Sequence, residues 1–184
     1  MLLSDSTIKE LINKGEIVVK PFDESLLSPS SLDIRLGSEI VVFNKVEKGI
    51  IDVRKEIPKT YYKRFKVEDF FILKPQQFIL AHTLEYIELP SYISARLEGR
   101  SSLARLGLIV HSTGGFIDAG FKGQITLEMT NLNTMPIKLY PGMRIAQIAF
   151  EKLDKPAEKP YDKRKKSKYL NQMGATISRI HEDF

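Results

Sequence analysis

Between Gln124 and Asn131 apolar and polar side chains alternate without a break: Ile125, Leu127 and Met129 are separated by Thr126, Glu128 and Thr130. A period of two sends successive side chains to opposite faces of an extended chain, so this stretch is a strand with one apolar face and one face bearing a carboxylate. Short runs of β-branched and aromatic residues, bounded by turn formers, recur at Ile17–Val19, Leu32–Leu36, Ile40–Phe43, Phe70–Leu73, Phe78–Ala81, Ile93–Leu97, Leu108–Val110, Ile137–Tyr140 and Ile145–Phe150. Strands of this length and spacing predict a mainly β sandwich or barrel. Only the beginning reads as helix: Ser4 can cap a first turn, Ile8, Leu11 and Ile12 recur at helical spacing, and Gly15 offers a stop. The 184 residues suffice for one core and show no internal repeat. Near Asp154 the apolar alternation gives way to Lys and Pro, which divides a β domain, residues 1–153, from a C-terminal arm, residues 154–184, of the same single domain.

Composition narrows the chemistry. The chain contains no cysteine, which excludes disulfides, thiolate nucleophiles and every cysteine-ligated zinc site. No charged start precedes an apolar segment, and no apolar run approaches the roughly 20 residues of a membrane helix, so the expectation is a cytoplasmic protein with no membrane partner. The lack of cysteine and tryptophan, with 28% charged residues, leans toward a thermophilic source. The net charge of +5 is local: Tyr161–Tyr169 (YDKRKKSKY) sets five Lys or Arg against one Asp, leaving the remainder almost neutral. Such a run is commonly a solvated arm; here it is also the natural place to meet an anion.

Two segments interrupt the strand rhythm. In Glu98–Gly107 (EGRSSLARLG), Arg100, Ser101 and Ser102 lead into Leu103, Ala104 and Leu106, a short helix whose free N–H groups, hydroxyls and guanidiniums of Arg100 and Arg105 could cradle a phosphate or carbonyl, or simply form an N-cap. In His111–Asn131 (HSTGGFIDAGFKGQITLEMTN), Gly114, Gly115, Gly120 and Gly123 surround Phe116-Ile117-Asp118, as in a hairpin whose backbone approaches a flat ligand. Glu128 then faces either solvent or a site.

GRSSLARLGL, H-x-T-x-G-F-I-D-x-G-F-x-G-x-I-T-L-E and Y-x-x-R-x-x-x-K-Y-x-x-Q, in this order, resemble the dCTP deaminases of the trimeric dUTPase superfamily, and the likeness extends from Leu3-Ser4-Asp5 and Pro29–Asp33 to Gln172. It implies a dUTPase-like jelly-roll subunit in a homotrimer, with active sites between neighbouring subunits. By the same resemblance Glu128 is the carboxylate that shuttles protons, and Ser101 and Arg105, reaching across the subunit boundary, help hold the attacking water and cytosine. Asp118 grips the deoxyribose 3′-hydroxyl, and Phe121 stacks beneath the sugar. Thr126, Leu127 and Gln147 surround the nucleotide. Tyr161, Lys168 and Gln172 close over the triphosphate, opposite Arg100, Ser101, Ser102, Leu103 and Ala104. Mg²⁺ is expected on the phosphates, with no protein side chain as ligand and no zinc. dCTP is the implied substrate, with dUTP and dTTP as product or inhibitor.

One carboxylate can serve such a reaction twice, taking a proton from water and returning it to N3 and the departing amine. The resemblance implies dUTP and ammonia as products. Gly115-Phe116 ahead of Ile117-Asp118 also resembles the bifunctional branch that continues to dUMP and pyrophosphate, with small Gly115 leaving room for a second water and Asp118 orienting it. A pure dUTPase fits less well, because the position of Glu128 is normally apolar there and its glycine-rich tail is replaced by YDKRKKSKYLNQ. A nucleic-acid module would use Tyr161 and Tyr169 beside the basic run but leaves the glycine-rich segment unexplained, so no nucleic-acid partner is expected. Gly114 stands where an alanine is usual, which is expected to loosen its loop.

Overall fold

A computed structural model describes residues 1–184. Its elements are α1 (Asp5–Asn13), β1 (Val18–Lys20), β2 (Leu27–Ser28), β3 (Ser31–Arg35), β4 (Glu39–Phe43), β5 (Tyr62–Lys66), β6 (Phe71–Leu73), β7 (Phe78–Glu88), β8 (Ile93–Gly99), α2 (Ser101–Ala104), β9 (Leu108–Ile109), β10 (Phe116–Ile117), β11 (Lys122–Asn131), β12 (Ile137–Leu139) and β13 (Arg144–Lys152). They form two main antiparallel sheets, ordered β5-β4-β7-β11-β9, with β1 also on β7, and β10-β8-β13-β3-β2. β6 and β12 make a separate ribbon. One apolar cluster draws Ile79, Ala81, Leu127 and Met129 from the first sheet and Ile34, Leu97, Ile148 and Phe150 from the second. Two faced sheets are the sandwich form of the expectation.

The pairing of β11 with β7 sets Leu127 opposite Ala81, Glu128 opposite Leu80 and Met129 opposite Ile79. Leu127 and Met129 are fully buried, and the period of two turns Thr126 and Glu128 outward. The same outward face continues through Leu80 to Val41 on β4. The arm folds back over part of it. Ala175 is fully buried in a small cluster with Val41 and Leu80. The arm, read from sequence as a lid, is therefore part of the packing on this side of the sheet.

Several local differences have physical causes. β7 continues past Ala81 because its polar residues are satisfied internally: Glu85 accepts from Arg35 Nε at 2.7 Å and Arg35 N at 2.8 Å, and the Thr83 hydroxyl donates to Glu85 O at 2.8 Å. β5 escapes the alternation rule because it is a sheet-edge strand with exposed Lys63 and Lys66, which also blunts the edge, and with Arg64 spent on Glu39 and the arm. Ser4 does precede α1, yet its hydroxyl meets those of Ser6 and Thr7, not a peptide N–H. The glycine-rich segment is not a paired hairpin. β10 pairs with β8 in one sheet while β11 pairs with β7 in the other, so Asp118–Phe121 is a crossing between sheets, turned at Gly120 with φ +82°.

His82 lies in the outward row of β7, opposite Thr126. Its Nε2 accepts the Glu39 N–H at 3.2 Å, which makes Nδ1 the protonated nitrogen that donates to Thr83 O at 2.8 Å. Burial pushes its pKa below the usual 6.5, against the opposing pull of Thr83 O and Glu39. The folded chain thus binds fewer protons here than the unfolded one. Stability from this site is full above pH 6.5 and falls as the pH drops through that value toward the lowered one. Chemical unfolding at pH 7.5 and pH 5.5 should show the loss, and a His82→Gln variant should show a flatter dependence; an equal slope in both proteins would overturn the assignment.

Candidate active site

Where the chain crosses between the sheets, a cavity of about 610 Å³ opens. Its floor is the outward face of the first sheet, with Thr126 and Glu128 on β11, Phe78 and Leu80 on β7, and Phe43 on β4. One wall is the glycine-rich crossing, through Ser112, Thr113, Gly114, Phe116, Asp118 and Phe121. The arm closes it with Tyr161, Tyr169, Gln172, Thr176 and Ser178. Half of the lining is apolar and nearly all the rest carries polar side chains, a composition suited to a flat, polar-edged small molecule.

Glu128 rests against the crossing: its Oε2 accepts the N–H of Ser112 at 3.0 Å and that of Gly114 at 3.4 Å. A Cβ on residue 114 would lie 2.6 Å from Glu128 Oε1. Glycine here does not loosen the loop; it admits the carboxylate to two peptide donors. Asp118, half exposed, points its Oδ2 at Arg164 Nη1, 3.6 Å away in the basic run. The ring of Phe121 is buried against that of Tyr161, with centroids 6.0 Å apart. Gln172 donates through Nε2 to Gln124 O at 2.8 Å, while its Oε1 is buried without a partner.

The structure thus brings together Phe116, Asp118, Phe121, Thr126, Glu128, Tyr161 and Gln172. It does not bring in the others. The Leu127 side chain is in the core, which β-alternation requires once Glu128 faces outward. Gln147, on β13 in the second sheet, accepts from Ser31 Oγ at 3.0 Å and donates to Gly99 O at 3.2 Å. It belongs with the α2 segment, where Arg100 pairs with buried Asp33 at 3.3 Å, Leu103 is partly buried, and Ser101, Ser102, Ala104 and Arg105 are exposed on the surface. Lys168 is bound to Asp183 at 2.6 Å and does not line the cavity.

Gly115 is absent from the lining too. A Cβ there would meet His111 Cε1 at 2.9 Å and Leu97 O at 3.0 Å, so its small size serves close packing on β8 and not the cavity. Sequence reasoning missed Phe43, Phe78, Thr176, Ser178 and Arg164. Phe43 and Phe78 carry no signal apart from their strands; Arg164 stands in the motif Y-x-x-R-x-x-x-K-Y-x-x-Q, without a role of its own there.

A family model described as dCTP deaminase-like matches residues 2–153. The chain is 46% identical over 188 residues, covering all of this chain and 97% of the other, to a protein of Dictyoglomus thermophilum named dCTP deaminase, dUMP-forming. A protein of the same name from Aquifex aeolicus is 50% identical over 183 residues, again covering all of this chain and 97% of the relative. Among solved structures, the 2′-deoxycytidine 5′-triphosphate deaminase of Agrobacterium tumefaciens superposes with a TM-score of 0.64 at 25% identity. That match takes in 81% of this chain and 47% of the other.

The ion pair with Asp183 raises the pKa of the Lys168 ammonium, chiefly through their hydrogen bond, and neutralises a charge that an anion would otherwise meet. Asp183→Asn should therefore bind inorganic tripolyphosphate roughly two- to five-fold more tightly by calorimetric titration, the range of an exposed ion pair. Equal affinity in the variant would mean that Lys168 takes no part in anion binding.

Proposed function

Because the chain belongs to the dCTP deaminase-like family, we propose that it hydrolyses dCTP in two steps, to dUTP and ammonia and then to dUMP and pyrophosphate. The observation that carries this reading is that Glu128 and Asp118, two carboxylates in different surroundings, line one cavity. It is supported by the dUMP-forming names of the relatives that match along the whole chain. The single-step product, dUTP, which the sequence reading put first, gives way to the two-step one. The support no longer includes Gly115.

In the first step Glu128 takes a proton from a water, and the hydroxide adds to C4 of the cytosine ring. The proton passes to N3, Glu128 then carries the proton of the new C4 hydroxyl to the exocyclic nitrogen, and the C4–N bond breaks to release ammonia as the C4 carbonyl forms. The peptide donors of Ser112 and Gly114 hold the carboxylate while it waits. In the second step Asp118 orients a water toward the α-phosphorus; a P–O bond forms and the bond to the pyrophosphate oxygen breaks. Ribose discrimination falls to Phe121, which Tyr161 backs.

Ser101, Arg105 and Gln147 act on the site of a neighbouring subunit in a homotrimer. Their position in and beside the second sheet, away from the cavity of their own chain, is what an inter-subunit site requires. Mg²⁺ arrives on the phosphates and neutralises their charge. Arg164 and Lys168 meet that assembly from the arm. No helix is long and apolar enough to cross a membrane, and the reading places the reaction in the cytoplasm.

Incubation with dCTP and Mg²⁺ followed by ion-exchange chromatography should yield dUMP and pyrophosphate in equal amounts; dUTP accumulating without pyrophosphate would overturn the second step. Glu128→Gln should lower turnover by at least about a hundred-fold, the scale of a lost general acid–base, with nucleotide binding retained. Asp118→Asn should lose pyrophosphate release, and a variant still making dUMP at the normal rate would remove Asp118 from the reaction.

A further inference from the structure

The arm is fastened at one point by main-chain contacts from the far side of the sheet. Glu39, on β4, accepts the N–H of Ala175 through Oε1 at 3.0 Å, and Arg64, on β5, donates from Nη1 to the carbonyl of the same residue at 2.8 Å. The two side chains also pair with each other. Both peptide groups of one arm residue are thus gripped by a joined acid and base, while its methyl group is buried against Val41 and Leu80. On either side, Gly174 donates to Gln124 Oε1 at 2.7 Å and Thr176 donates to Thr126 Oγ1 at 3.1 Å.

Contacts to peptide groups hold whichever residue lies there, so register must come from something else. Gly174 supplies part of it: its φ of +70° strains any other residue, and a Cβ there would displace the Glu39 carboxylate from the clamp. A slip by one residue places a side chain in that space. Gln172, two positions before Gly174, and Thr176 and Ser178, which follow, take their places over the cavity only in this register.

From this we infer that Glu39 and Arg64 are positioning residues of the active site: they clamp the arm at Ala175 and thereby set the residues that close over the nucleotide. The inference rests on the dCTP reading for its kinetic consequence, but not for the clamp itself. Both side chains are partly exposed, at 31% and 43% for Glu39 and Arg64, so the clamp can open without unfolding the core.

The test uses the full chain and two readouts. Trypsin cleavage within Lys163–Lys168, followed by mass spectrometry, reports docking of the arm without any nucleotide. KM and kcat for dCTP report its effect on the site. Arg64→Met, which keeps the apolar stem, should speed cleavage and raise KM about five- to ten-fold, the scale of one ordinary hydrogen bond, with kcat within about two-fold. Glu39→Gln, which keeps an acceptor, should be milder than Glu39→Ala. Arg64→Lys, which keeps the charge but not the fork, gives the same test at an intermediate level should the methionine variant fail to fold. Cleavage rates or KM values equal to the parent chain's would overturn the inference, as would an equal loss of kcat and thermal stability with KM unchanged. Absence of dCTP turnover in the parent chain would instead refute the substrate, leaving the cleavage rates to judge the clamp.

Discussion

The antiparallel pairing of β7 with β11 governs both the core and the cavity. Its register buries Leu127 and Met129 against Ala81 and Ile79, and pleating then leaves Thr126 and Glu128 no choice but the opposite face. A slip of one residue would drive the Glu128 carboxylate into a thirty-residue apolar cluster, with a desolvation penalty of several kcal/mol for the ionised form. The hydrophobic effect that assembles the sandwich is thus also what aims the carboxylate. A register irregularity between Gln124 and Thr126 lies beside the floor of the cavity and changes the spacing of the outward side chains where the arm attaches to both.

An outward sheet face carrying Val41, Leu80, Phe43 and Phe78 is too apolar to be left in water, and the chain covers it with its own last thirty residues. That economy explains how a strongly basic run can have a defined path. It is held at one end by Tyr161, whose N–H donates to Ala119 O at 2.7 Å and whose ring packs on Phe121, and at the other by Asn171, whose N–H donates to Lys122 O at 2.7 Å. Between these supports two of the five cations draw on separate partners, Arg164 on Asp118 and Lys168 on Asp183.

Most strands were legible in the sequence because alternation and turn chemistry act locally. β5 was not, since at a sheet edge its lysines and arginine are outward by necessity and no core face marks it; nor was β10, whose two residues are too few for a period. The lining of the cavity was legible where a motif marked it, as for Glu128, Asp118 and Tyr161, and illegible for Phe43 and Phe78, which look like any strand aromatics. Gly115 shows the limit of reading a glycine from sequence: it stood for open space and proves to stand for tight packing against His111 and the carbonyl of Leu97. Topology sets Gln147 and the α2 segment on the second sheet, away from the cavity of their own chain, a separation that no local pattern records.

The buried methyl of Ala175 couples the traffic of ligands to the properties of water. Whenever the arm lifts, Val41 and Leu80 lose their cover, so opening exposes apolar surface and must carry a positive change in heat capacity. The clamp and the apolar contact respond to heat in different ways: ion pairing loses little as desolvation becomes easier, while apolar association is weakest in the cold. A closure built from both keeps its grip over a wider thermal range than either alone.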